Sequence, residues 1–275
     1  MTVLPALQAE LASATNQLLA TAASLSDADI ATPSLLPGWT KGHVLTHVAR
    51  NADSYINLLT WAKTGVRIPQ YASYEARAQE IEATAARPAA RLLADLADGA
   101  ARFATAVRDL PEPAWQAPVE GMRPPPHPAW YVLVRRLREV GFHHVDLAAG
   151  YGPGDWPGSF VRRELHDCLA TWSRARSTVS EIRLLAPASV PEFPATPGSG
   201  GARWRDLGDG PVVQGAASDM LAWLTGRSGG EGVSLLPAGQ SHTPGPGGAS
   251  LPEPPPWLTL PAPADLPATP PKDYP

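Results

Sequence analysis

Apolar residues in the first half of the chain recur every three or four positions. From Leu4 they fall at Leu7, Leu11 and Leu18 in an alanine-rich stretch, the spacing of one helical face among strong helix formers. The turn sequence ATPSLLPGW, Ala31 to Trp39, leads to Thr40, a good N-cap. Val44, Val48, Tyr55 and Leu58 or Leu59 then mark a second long helix to about Lys63. Tyr74 to Ala86 reads as a short helix. Pro88 stands where another begins, and Leu92, Leu96, Ala100, Phe103, Val107 and Leu110 form its stripe. A polar, proline-punctuated connection from Pro111 to Pro128 follows. From about Ala129, Leu133, Leu137, Val140, His144 and Leu147 make a fourth stripe that Gly150 stops.

Four long amphipathic helices predict an N-terminal four-helix bundle over residues 1–152. After Asp155 the texture changes. A helix near Phe160 to Ser177 precedes β-like runs at Glu181 to Leu185, Ala202 to Trp204 and Val212 to Gln214. A helix from about Ala216 to Thr225 and a last β-like run at Gly232 to Leu235 complete the pattern of a small α+β domain, residues 153–240. The chain is thus expected to be multidomain, α followed by α+β. Of its 32 prolines, 12 fall between Ser241 and Pro275, which reads as a proline-rich tail. From about Pro261 the tail is expected to be disordered, because so many prolines preclude regular hydrogen bonding; Trp257 is the residue in it that could still dock.

At 275 residues and 44% hydrophobic content the chain can bury a real core. The single cysteine, Cys168, rules out an internal disulfide, and the N-terminus lacks the pattern of a signal peptide; a soluble, cytosolic protein is expected. A net charge of −4 without a clustered basic face excludes a nucleic-acid footprint, and no apolar run is long enough for a membrane span. A monomer is expected.

Four of the seven histidines fall on two predicted helices: His43 and His47 on the second, His143 and His144 on the fourth. Glu139 and His143 are four apart and share a helical face, a spacing that chelates one ion. In bundles such pairs are completed by a ligand from a facing helix. His47 lies well inside its helix and His43 in its first turn, so His47 is the better-placed third ligand. Two histidines and a glutamate leave the fourth position open, the catalytic pattern for zinc. On spacing alone, however, an E-x-x-x-H pair is more often a surface ion pair. Asp146 continues the face and is a candidate to orient a ligand imidazole. His144 is expected to pack or hydrogen-bond beside the site.

The run LPGWTKGHVLTHVARNAD, Leu36 to Asp53, and the run RLREVGFHHVDLAAGYGPGDWP, Arg136 to Pro157, resemble the signature segments of the mycothiol-dependent maleylpyruvate isomerase family, whose bundle is DinB-like. The similarity touches RAQEIE at Arg77 to Glu82 and VQGAASDMLAWLTGR at Val213 to Arg227, and extends to LPEPPPW ending at Trp257. The resemblance implies zinc held by His47, Glu139 and His143, and mycothiol as the thiol cofactor. It further implies isomerisation of maleylpyruvate, or a similar cis-alkene diacid, to fumarylpyruvate by reversible thiolate addition in aromatic degradation. The partners implied are this small-molecule substrate and the low-molecular-weight thiol. It also makes Arg227 a catalytic arginine; without it, Arg227 reads as a cation at a helix C-terminus.

Cys168 lies outside these motifs and reads as a buried helix residue. Two other readings use the same residues: a mycothiol S-transferase acting on electrophiles, and a non-catalytic zinc-containing binding or regulatory module. A structural zinc normally has four protein ligands, which argues against the module.

Overall fold

The computed structural model describes residues 1–185, 202–236, 250–255 and 261–275. They form two units: Met1–Gly152 with Ala264–Tyr274, and Pro153–Pro263 with Pro275. No helix among the described residues is long and apolar enough to cross a membrane.

In the first unit, α1 (Leu4–Ala23) and the single turn α2 (Asp27–Ile30) precede α3 (Lys41–Thr64), α4 (Tyr74–Thr84), α5 (Ala89–Arg108) and α6 (Tyr131–Asp146). Thr40 caps α3 by accepting from the His43 amide, and the His43 side chain reaches back to the Thr40 amide. This capping box satisfies backbone donors that the first turn leaves open. At the other end Gly65, at φ +72°, takes the left-handed conformation that lets its N–H bond Trp61 O at 2.8 Å. α5 buries Leu92, Leu96, Gly99, Phe103 and Val107, and α3 packs against it. A Cβ at Gly99 would lie 3.1 Å from Ala49 O, so glycine permits this close approach.

The fourth long helix, α6, packs against both α1 and α3 and is buried on nearly every side, although it carries Arg136, Arg138, His143, His144 and Asp146. Buried polar groups need partners. Arg136 donates to Val48 O at 2.9 Å and Asn51 Oδ1 at 2.6 Å, and His144 Nε2 is 2.7 Å from Thr21 Oγ1 while its ring stacks on Tyr151. His144 thus ties α6 to α1.

The connection from Pro111 to Pro128 has more order than its prolines suggest. A 3-10 turn at Glu112–Gln116 buries Trp115, and β1 (Pro118–Val119) pairs antiparallel with β2 (His127–Pro128). The expected disorder from Pro261 is also overturned. Trp130 Nε1 donates to Pro267 O at 2.8 Å, Val3 N donates to Pro271 O at 2.8 Å, and the buried Tyr274 meets Trp130 edge-on at 5.2 Å. A proline-rich strand lacks amide donors, yet its carbonyls still accept and its fixed backbone costs little to order. Trp257 lies outside the described residues.

The second unit contains α7 (Gly158–Ala170), β3 (Glu181–Leu185), β4 (Arg203–Trp204), β5 (Val212–Ala216), α8 (Ala217–Leu224) and β6 (Val233–Leu235). The sheet runs β4-β3-β5-β6, with β3 and β5 parallel and both edges antiparallel. Ile182, Leu184 and Val213 point inward in period-two alternation. α7 stops at Ala170, short of the expected Ser177, because Trp172 turns away to donate to Leu207 O at 3.0 Å and meet Trp204. Cys168 is buried in α7.

Candidate metal centre

α3 and α6 run side by side at the level of His47, which places His47 on one helix opposite Glu139 and His143, one turn apart, on the other. His47 Nε2 lies 3.0 Å and His143 Nε2 3.3 Å from the same oxygen, Glu139 Oε2. The two imidazoles are 4.6 Å apart and nearly perpendicular. One ligand atom from each residue lies within 4.8 Å of the others. Three donors of this kind converging on one point fit a zinc ion, with a fourth position left over.

Asp146 holds one imidazole from behind. Its carboxylate can only accept, so His143 Nδ1–H donates to Asp146 Oδ2 at 2.8 Å, which turns Nε2 toward Glu139. Trp39, just before the cap of α3, sets its ring edge-on to His47 at 5.6 Å. The other second-helix histidine is committed elsewhere. His43 serves the capping box through Nδ1, and its Nε2 faces Glu82 at 3.1 Å.

The electrostatics prepare the cluster for a cation. Burial disfavours the imidazolium of His47, and the neighbouring His143 adds to this, so its pKa falls to about 4. Burial alone would raise Glu139, but hydrogen bonds with His143 and His47 override it and hold the carboxyl well below its ordinary range. For His143 burial acts downward, and the hydrogen bonds to Asp146 and Glu139 outweigh it, raising the group. At neutral pH the centre therefore offers a carboxylate and a neutral His47.

Arg77 went unassigned at the level of sequence and is now part of the site. Its Nη2 is 2.9 Å from His47 Nδ1 and 3.5 Å from Nε2, and its guanidinium lies 5.7 Å from the centre of the Tyr71 ring. One arginine in a short helix of weak periodicity gives no signal of its own; RAQEIE marked the segment and not the residue. Arg227 belongs to the second unit. It follows α8, where its amide donates to Ala222 O at 2.7 Å and its Nη1 to Thr225 O at 2.7 Å.

Residues 11–148 match the model of the mycothiol maleylpyruvate isomerase N-terminal domain family. A solved structure of a mycothiol-dependent maleylpyruvate isomerase is 30% identical, with a TM-score of 0.75 over 92% of this chain and 96% of that one. The chain belongs to this family of isomerases. A second solved structure, a histidine-to-alanine mutant of a mycothiol-dependent maleylpyruvate isomerase, is 29% identical with the same TM-score of 0.75 and the same coverage, 92% and 96%. No curated protein matches the chain. In this member of the isomerase family the bundle that brings His47, Glu139 and His143 together lies within the segment the family model covers for all but its first residues.

Proposed function

We propose that the protein is a zinc- and mycothiol-dependent isomerase that converts maleylpyruvate, or a similar cis-alkene diacid, to fumarylpyruvate. The observation that carries this reading is the convergence of His47, Glu139 and His143 in a chain of this family. Bound there, zinc would hold an incoming thiol as its thiolate, the nucleophile that reversible addition to a cis double bond requires.

The chain's own residues have distinct tasks in this reading. Asp146 fixes the ring and tautomer of His143. His47 is neutral near pH 7, so no imidazolium has to be discharged before it takes the ion. Arg227 is proposed to bind a substrate carboxylate or the charge that develops on the enolate, through the planar fork of its guanidinium.

The test is consumption of maleylpyruvate by the zinc-loaded enzyme with and without mycothiol. Isomerisation that needs both zinc and thiol supports the proposal. Conjugation of the thiol to electrophiles without isomerisation would make the protein a transferase, and no turnover of either kind would leave a binding module.

A further inference from the structure

α4 faces α3 through its carboxylates. Glu80 lies 3.4 Å from Arg50, and Glu82 lies 3.1 Å from His43. Arg77 breaks this pattern. It is half-buried, yet no carboxylate among the described residues lies within ion-pair distance of its guanidinium. A guanidinium carries five donors and never loses its charge, so one turned inward without an acid calls for an anion from outside.

The geometry says where that anion would sit. Nη2 is nearly as close to Nε2 of His47 as to Nδ1. A donor in line with a ring-nitrogen lone pair would be much farther from the second nitrogen, so the guanidinium lies over the face of the imidazole. One N–H is turned toward Nδ1, and no carboxylate among the described residues takes the others. Beside it Tyr71 offers a hydroxyl that is shielded from solvent and lies near Arg77 and Ser54. Glu139, engaged by the two histidines, remains about a quarter exposed, so the centre is open to a small molecule.

We propose that Arg77, with the Tyr71 hydroxyl, is a carboxylate-binding subsite on the metal-bearing unit, placed to take one carboxylate of a small dicarboxylate at the open side of His47 and Glu139. Identifying that carboxylate as the substrate's rests on the isomerase reading; the subsite itself does not. Bidentate guanidinium–carboxylate pairing and a phenolic donor would hold one end of a diacid.

The experiment is calorimetric titration of the zinc-loaded, full-length protein with maleate in the absence of thiol. Wild type should bind maleate. Arg77→Gln should keep its zinc and weaken maleate binding by about tenfold or more, and Arg77→Lys by several-fold, since lysine keeps the charge and loses the fork. Arg102→Gln removes a charge already paired with Asp53 and should leave affinity within about twofold. Unchanged affinity in zinc-replete Arg77→Gln, or no maleate binding by wild type, overturns the subsite. Should Arg77→Gln misfold or lose zinc, zinc-replete Arg77→Lys decides, and wild-type affinity there overturns it equally. Maleate binding that depends on Arg77 in a protein with no isomerase activity would retain the subsite and reject the isomerase reading.

Discussion

Asp146 Oδ2 lies 2.8 Å from His143 Nδ1, on the ring nitrogen opposite the one that faces Glu139. The carboxylate therefore selects which nitrogen of His143 is free for an ion. Asp146→Asn removes that selection because an amide can present either a donor or an acceptor. We expect zinc affinity to fall about 10- to 100-fold with the helices intact, measured by competition against a chromogenic chelator. Wild-type affinity in a folded variant would show that the contact is only structural.

His47→Ala and His143→Ala are each expected to release zinc, whereas His43→Ala should retain it. His43 closes the cap of α3 and faces Glu82, so its loss should cost roughly 1 kcal/mol of stability and no metal. Elemental analysis and thermal melts of the three variants separate the two effects. Loss of zinc from the His43 variant alone would contradict the ligand assignment.

Much of this was legible beforehand because regular helices translate spacing into faces. Leu7, Leu11 and Leu18 lie in the core as their period predicts, Thr40 caps α3, and Glu181 to Leu185 forms β3. The facing of Glu139 and His143 followed from the same period. Arg77 did not, because its position depends on how α4 lies across α3, which no local pattern encodes. Tyr274 and Pro267 were hidden for a related reason. Their partners Trp130 and Tyr131 are more than a hundred residues away, and proline content was read as disorder without regard to the carbonyls that prolines still offer.

Acid should destabilise the zinc-free protein. His127 is buried beside Arg135, and its pKa falls to about 3; that of His47 falls to about 4. Both titrate near 6.5 when unfolded, so between pH 6.5 and 4 the unfolded chain binds protons that the folded chain refuses, and stability falls with pH. Glu139, depressed when folded, adds to the loss as pH falls through its folded value, whereas the raised His143 opposes it by favouring the folded state at lower pH. Urea midpoints of chelator-treated protein at pH 7, 6 and 5 should decrease in that order. A flat series would mean that the two imidazoles are not held neutral.

Arg227→Lys is expected to keep zinc and fold and to lose on the order of 100-fold in turnover, because lysine supplies charge without the two-pronged geometry. Steady-state kinetics with mycothiol present is the measurement. Near-normal turnover of every tested electrophile would reduce Arg227 to a cation that caps its own helix through Thr225 O.

Tyr274→Ala should lower stability by about 3 kcal/mol and shift tryptophan emission to the red, since the ring covers Trp130 and Tyr131. An unaltered melt and spectrum would show that the terminal segment contributes nothing to the bundle.

The chain leaves the first unit at Gly152 and comes back to it at Ala264, so the second unit is an insertion within the first. Translation proceeds in one direction. All four long helices emerge from the ribosome before residues 153–263, but the acceptor for the Trp130 indole, Pro267 O, and the partner of the Val3 amide, Pro271 O, emerge only afterwards. The nascent bundle must therefore wait, with an aromatic face uncovered, while the whole inserted unit is synthesised, and its last native contacts form only when residues 264–274 become available.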